Sequence, residues 1–145
     1  MQMKFTCMVL SVMISVIHVQ AADAVQACYD SAKTQSELNR CGGMDQKRAD
    51  DEINAVYQAV IKKHHADAAF IKKLQIAQRA WLKWRDAEME AIYPDKDDPN
   101  AYGSVFPMCW SSQLAVITEE RIKQLRKWID GTPEGDVCSG SIPVK

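Results

Sequence analysis

The stretch Gln75-Ile76-Ala77-Gln78-Arg79-Ala80-Trp81-Leu82-Lys83-Trp84-Arg85-Asp86-Ala87-Glu88 carries large apolar residues at helical spacing, with charged residues threaded between them. Extended outward, Phe70, Leu74, Ala77, Trp81, Trp84 or Arg85, Glu88 and Ile92 fall on one stripe, which Ile71, Gln78 and Leu82 widen. No proline or glycine interrupts the run from Asp67 to Tyr93. The pattern predicts one long helix. Two tryptophans one turn apart carry so much apolar area that they need a facing surface. The expectation is therefore a central helix lying between others.

Working outward towards the amino terminus, Lys62-Lys63-His64-His65 precedes this helix. A metal reading would use both imidazoles with Asp67. Adjacent helical positions point about 100° apart, however, and no further ligand stands nearby. The pattern instead reads as a helix end, where basic side chains suit the negative end of the dipole, with Asp67 capping the next helix. So short a connection makes an antiparallel hairpin with the preceding helix. That helix starts at the capping box Thr34-Gln35-Ser36-Glu37, and Leu38, Cys41, Ala49, Ile53, Val56, Tyr57, Val60 and Ile61 keep its spacing. Gly42-Gly43 is its weak point, where a kink or break is expected.

In the other direction Tyr93-Pro94 stops the central helix, and a loop dense in turn formers runs from Asp95 to Pro107. A third helix follows from about Cys109, with Leu114, Ile117 or Thr118, Arg121 or Ile122, Leu125, Trp128 and Ile129 on one face. Gly131, Thr132 and Pro133 end it. The fold class predicted is all-α: a small bundle of three main helices, with a disulfide-tethered amino-terminal segment and a carboxy-terminal tail.

The extreme amino terminus reads differently. Lys4 followed by the mostly apolar Phe5 to Val19, then Val19-Gln20-Ala21, has the form of a secretory signal peptide over residues 1–21. Residues 22–145 then form a single helical domain, in a periplasmic or secreted bacterial protein. Val25-Gln26-Ala27-Cys28 fits a lipidation site poorly, because the apolar run ends well before Cys28. The 18 basic and 19 acidic residues nearly balance, which gives no argument for nucleic acid or for an anionic membrane surface. Once Cys7 leaves with the signal, Cys28, Cys41, Cys109 and Cys138 remain, an even number that points to two disulfides. Their spacing lacks the close pairs of a structural zinc site. The preferred pairing is Cys28 with Cys41 and Cys109 with Cys138; the second requires the tail to run back along the third helix, near the limit of its reach.

The order of these pieces resembles the LprI lysozyme-inhibitor family of exported helical domains. The residues that carry the resemblance are Cys28, Thr34 to Asn39, Cys41, Ala49-Asp50, Ile53-Asn54, Tyr57, Ala77 to Asp86, Gly103-Ser104, Thr118 to Arg121 and Leu125. The family pattern also has a cysteine pair at the positions of Met89 and Gln113, and neither is cysteine here. The resemblance implies an all-helical exported domain of a family whose best-described member inhibits lysozyme.

Asp50, Arg85 and Arg121 adjoin the apolar stripes of three different helices, with Gln78 and Thr118 available as partners. They read as an interhelical network that fixes register rather than as a catalytic or ligand-binding cluster. Trp81 and Trp128 are expected in the core. Trp84 and Trp110 flank the long loop, and core is again the better reading for both. No nucleophile motif, phosphate-cradling glycine loop, metal set or paired carboxylates of recognisable spacing emerges, so the sequence reads as a non-enzyme without cofactor or metal. The expected activity is binding of a protein partner, with lysozyme or a related cell-wall hydrolase as the expected target. The expected contact is the acidic, aromatic loop of Tyr93, Asp95, Asp97, Asp98 and Tyr102, suited to a basic partner. An envelope interaction or immunity module with another protein partner is the alternative.

Overall fold

The computed structural model describes residues 20–145. The expected signal peptide therefore lies almost wholly outside the described residues. Four α-helices account for the fold, and the only β feature among the described residues is an isolated bridge. Helix α1 spans residues 20–31 of the described chain, α2 Gln35–Lys63, α3 Ala68–Ile92 and α4 Phe106–Asp130, with a 3-10 turn at Gly103–Val105 leading into α4.

The capping box forms as expected: the Glu37 amide donates to Thr34 Oγ1 at 3.2 Å, and the Thr34 amide donates to Glu37 Oε2 at 2.9 Å. Asp67 likewise caps α3, accepting from the Phe70 amide at 2.9 Å. The segment before the capping box is helical where only a short polar stretch was expected. Val25 and Cys28 are buried and Tyr29 half-buried, an i, i+3, i+4 pattern that seats α1 on its neighbours. A disulfide joins Cys28 to Cys41, and the Tyr29 and Ser112 hydroxyls are hydrogen bonded at 3.3 Å, linking α1 to α4.

Helix α2 runs unbroken through Gly42-Gly43, against the expected kink. The glycines serve packing instead. Helices α2 and α4 are parallel and close along their length, and a Cβ on Gly42 would stand 3.0 Å from the Met108 Cα. Ala49 and Ala115, both buried, keep the same seam narrow. Ions bridge it further along: Arg48 of α2 pairs with Glu119 of α4, and Glu52 of α2 with Arg126 of α4 at 2.7 Å.

The central helix is α4, not α3. Ala115, Ile122, Thr118, Leu125, Leu114 and Ile117 are all buried, and at 100° per residue they cover an arc of roughly 160°. One side of that arc meets α2, and the other meets α3. Helix α3 buries only Leu74 and Met89, and its half-buried Phe70 and Trp81 widen the stripe to only about 100°. It leans on the α2–α4 pair from outside, its backbone nearing α4 at few positions. Two clusters hold it there. Leu74 joins Ile53, Val56, Val60, Ile122 and Leu125 at one end, and Met89 joins Leu114 and Ile117 at the other, with Trp81 touching both. Trp84 is 51% exposed, which corrects the core expectation for that residue. Trp81, Trp110 and Trp128 do pack against core clusters.

The second expected disulfide is also corrected: Cys109 and Cys138 are free thiols. The tail does not return along α4. It folds on itself at the carboxyl end of that helix, where the Thr132 amide donates to Pro143 O at 2.8 Å and the Lys145 amide donates to Thr132 O at 2.9 Å. Gly131, at φ +80°, makes the turn, and a Cβ there would meet Pro143 O at 2.8 Å. Cys138 is thus kept near one end of a helix whose first turn holds Cys109.

Candidate functional site

The loop between α3 and α4 is a built element. Tyr93 caps α3 at its carboxyl end, its amide donating to Met89 O at 3.0 Å. Pro94 ends the helical pattern, and successive turns follow: Lys96 N to Tyr93 O at 3.2 Å, Asp98 N to Asp95 O at 2.9 Å and Ala101 N to Asp98 O at 3.1 Å. The Asp98 carboxylate accepts from the Asn100 amide at 2.9 Å, closing an Asx turn. Tyr102 reaches back across the loop, where its hydroxyl accepts from the Asp95 amide at 3.1 Å. The base is fixed to α2 by Asn39, whose amide donates to Ser104 O at 2.9 Å.

Beneath the turns lies an aromatic quartet. Tyr93 meets Tyr102 edge-on at 5.3 Å and Phe106 at 5.4 Å, Tyr102 stacks on Phe106 at 5.2 Å, and Trp110 stands 5.7 Å from both Tyr93 and Phe106. Burial, with Cys109 and Tyr102 close by, pushes the Tyr93 phenol above its ordinary value, so it stays neutral. The two tyrosines brace the loop while Asp95, Asp97 and Asp98 stand exposed on it. Lys96 pairs with Asp97 at 3.0 Å, leaving three aspartates against one lysine and a net charge of −2 over residues 95–98. Phe106, Pro107 and Trp110 line a shallow recess of 290 Å³ beside this charge. Phe106 was not singled out from the sequence and Trp110 was read as core beside the loop rather than as part of its base, although Tyr102, Phe106 and Trp110 at four-residue steps mark one face of a helix start.

The other singled-out residues separate into two contacts. The Arg121 Nε donates to Gln78 Oε1 at 3.1 Å, joining α4 to α3. Arg85 lies 3.9 Å from Asp50, too far for a hydrogen bond, donates instead to its neighbour Asp86 at 2.9 Å, and sits over the Trp81 ring. Thr118 is buried on α4. His64 is the carboxyl cap of α2; its Nε2 is 3.0 Å from Trp128 O and its ring packs on Phe70, while His65 Nδ1 is 3.0 Å from Lys62 O. With Asp67 capping α3, these three side chains hold helix ends together.

Residues 27–125 match the family described as lysozyme inhibitor LprI, a stretch that includes the whole braced loop. The chain belongs to the LprI family. A protein of Rhizobium meliloti (strain 1021), described only as uncharacterized, is 32% identical over 110 residues, covering 68% of this chain and 76% of that protein. No solved structure matches the chain. Met89 of α3 is 1% exposed and packs with Leu114 and Ile117 of α4. A flexible thioether fills the gap between α3 and α4 there without a crosslink. No helix of the described residues is long and apolar enough to cross a membrane.

Proposed function

We propose that this chain is an exported inhibitor that binds a basic cell-wall hydrolase of the lysozyme type through the loop of Tyr93, Asp95, Asp97, Asp98 and Tyr102. On this reading residues 1–21 are removed on export, residues 22–145 act as one domain, and the site of action is the periplasm or the exterior. Membership of the LprI family over residues 27–125 carries the proposal. The loop supports it in chemistry: exposed aspartates raise the encounter rate with a basic surface, and Phe106, Pro107 and Trp110 beside them offer apolar area to anchor it. A rigid base lowers the ordering cost of binding. A protein contact of this kind needs about 800 Å² per partner.

The test is a cell-wall clearance assay with c-type lysozyme and the purified domain beginning at residue 22. Inhibition that saturates at an equimolar ratio is expected. Undiminished clearance at large molar excess rejects lysozyme as the target, and a different partner captured from periplasm would then favour the envelope-module alternative.

A further inference from the structure

Arg121 differs from the other half-buried arginines. Arg48 pairs with Asp45, Glu52 and Glu119, Arg126 with Glu52, and Arg85 with Asp86. Burial opposes the charge on Arg48, but its carboxylates more than offset that and hold its pKa above the usual value. Arg121 has no such compensation. Its Nε and Nη1 donate to the neutral amide oxygens of Gln78 and Gln124, at 3.1 and 2.9 Å, and among the described residues no carboxylate lies within ion-pair distance. Burial alone acts on it and lowers its pKa. It remains a cation all the same.

Arg121 lines a groove between α3 and α4 with a volume of 580 Å³, within the usual span of small-molecule sites. Phe70, Leu74, Ala77 and Trp128 make its apolar lining, and Lys73 adds a second cation. The one carboxylate among the lining residues, Asp67, is engaged in capping α3. Phe70 and Trp128 are fixed against each other at 4.5 Å. Two glutamine oxygens hold the guanidinium in place and leave Nη2 without a protein acceptor among the described residues. A half-buried cation held by neutral acceptors beside an apolar wall favours an anion that brings its own apolar body. A strongly hydrated inorganic anion would gain nothing from that wall.

We infer that the α3–α4 groove is a binding site for a small amphipathic monocarboxylate, whose carboxylate meets Arg121 and whose apolar body lies against Phe70, Leu74 and Trp128. This site lies at the opposite end of α3 from the acidic loop and does not depend on the lysozyme reading. The probe is 3-phenylpropionate, with its uncharged isostere 3-phenylpropanamide as the control, titrated into the domain by calorimetry and by amide-resolved NMR.

The acid is expected to bind about tenfold or more tightly than the amide, the difference a charge-assisted hydrogen bond makes. Shifts should centre on Phe70, Leu74, Ala77 and Trp128. Arg121→Gln should bring the acid down to the affinity of the amide, and Arg121→Lys, which keeps the charge but loses the fork, should fall between. Equal affinity for acid and amide overturns the proposal, as does undiminished binding of the acid by folded Arg121→Gln. So does the absence of binding up to about 10 mM, the weak end of specific recognition. Should Arg121→Gln fail to fold, the comparison of acid and amide on the natural chain decides alone.

Discussion

Gly42 and Gly43 are neighbours in one helix with opposite surroundings. Nothing lies within 4 Å of a Cβ built on Gly43, whereas one on Gly42 meets the Met108 backbone at 3.0 and 3.1 Å. Backbone atoms cannot yield as a flexible side-chain end can. Gly42→Ala should therefore destabilise the fold by about 1 to 2 kcal/mol, overpacking exceeding the gain in helix propensity. Gly43→Ala should stabilise it by about 0.5 to 1 kcal/mol. Thermal melts of the two variants check the opposite signs. Glu37 gives a pH effect at the same scale. Hydrogen bonds from the Lys33 amide first, then from Thr34, hold its carboxyl below the ordinary 4.5. A depressed folded value means that its contribution is complete above 4.5 and fades as pH falls through the lower folded value. The protection factors of the Lys33 and Thr34 amides should fall on acidification in that window and be insensitive to pH in Glu37→Gln, whose side chain does not titrate. The capping box was legible because its two partners, Thr34 and Glu37, lie three residues apart in the chain. The isolation of Arg121 was not, because it depends on which side chains of α3 come opposite.

Periodicity found α2, α3 and α4 but ranked them wrongly. A stripe tells that a helix has a buried face, and its width tells how many neighbours share it. The two tryptophans drew attention to α3, yet the residues that set the centre are the small ones, Ala115 and Thr118, which let α4 lie close to α2 while Leu114 and Ile117 turn to α3. Helix α1 was missed for a related reason: Val25, Cys28 and Tyr29 make too short a pattern to stand out among polar residues. The outer position of α3 predicts an unequal pair of substitutions. Trp81 joins both core clusters, whereas Trp84 is 51% exposed. Trp81→Ala should cost about 2 to 3 kcal/mol and Trp84→Ala less than about 1 kcal/mol, measured by urea unfolding. Equal losses would place α3 in the middle of the bundle after all.

At the scale of the whole fold, the covalent frame among the described residues is one disulfide at the end where α1, α2 and α4 converge, and a tail closed on itself at the other. The domain from residue 22 should titrate as two free thiols when denatured without reductant, with exposed Cys138 reacting first in the native state and half-buried Cys109 later. No thiol titre would show that the two cysteines are joined. Reducing Cys28–Cys41 should remove on the order of 2 to 3 kcal/mol of stability. The proposed function rests on a rigid body that displays one acidic turn, of which the sequence disclosed the aspartates and both tyrosines but not the packing of Phe106 and Trp110 beneath them. The most direct test is the dissociation constant for c-type lysozyme, compared between the natural domain and Asp95→Asn/Asp97→Asn/Asp98→Asn with its fold verified by circular dichroism. Binding about tenfold or more weaker in the variant, with the gap closing as salt rises, is the predicted result. Equal affinity of the two proteins, or no affinity in either, would contradict the account.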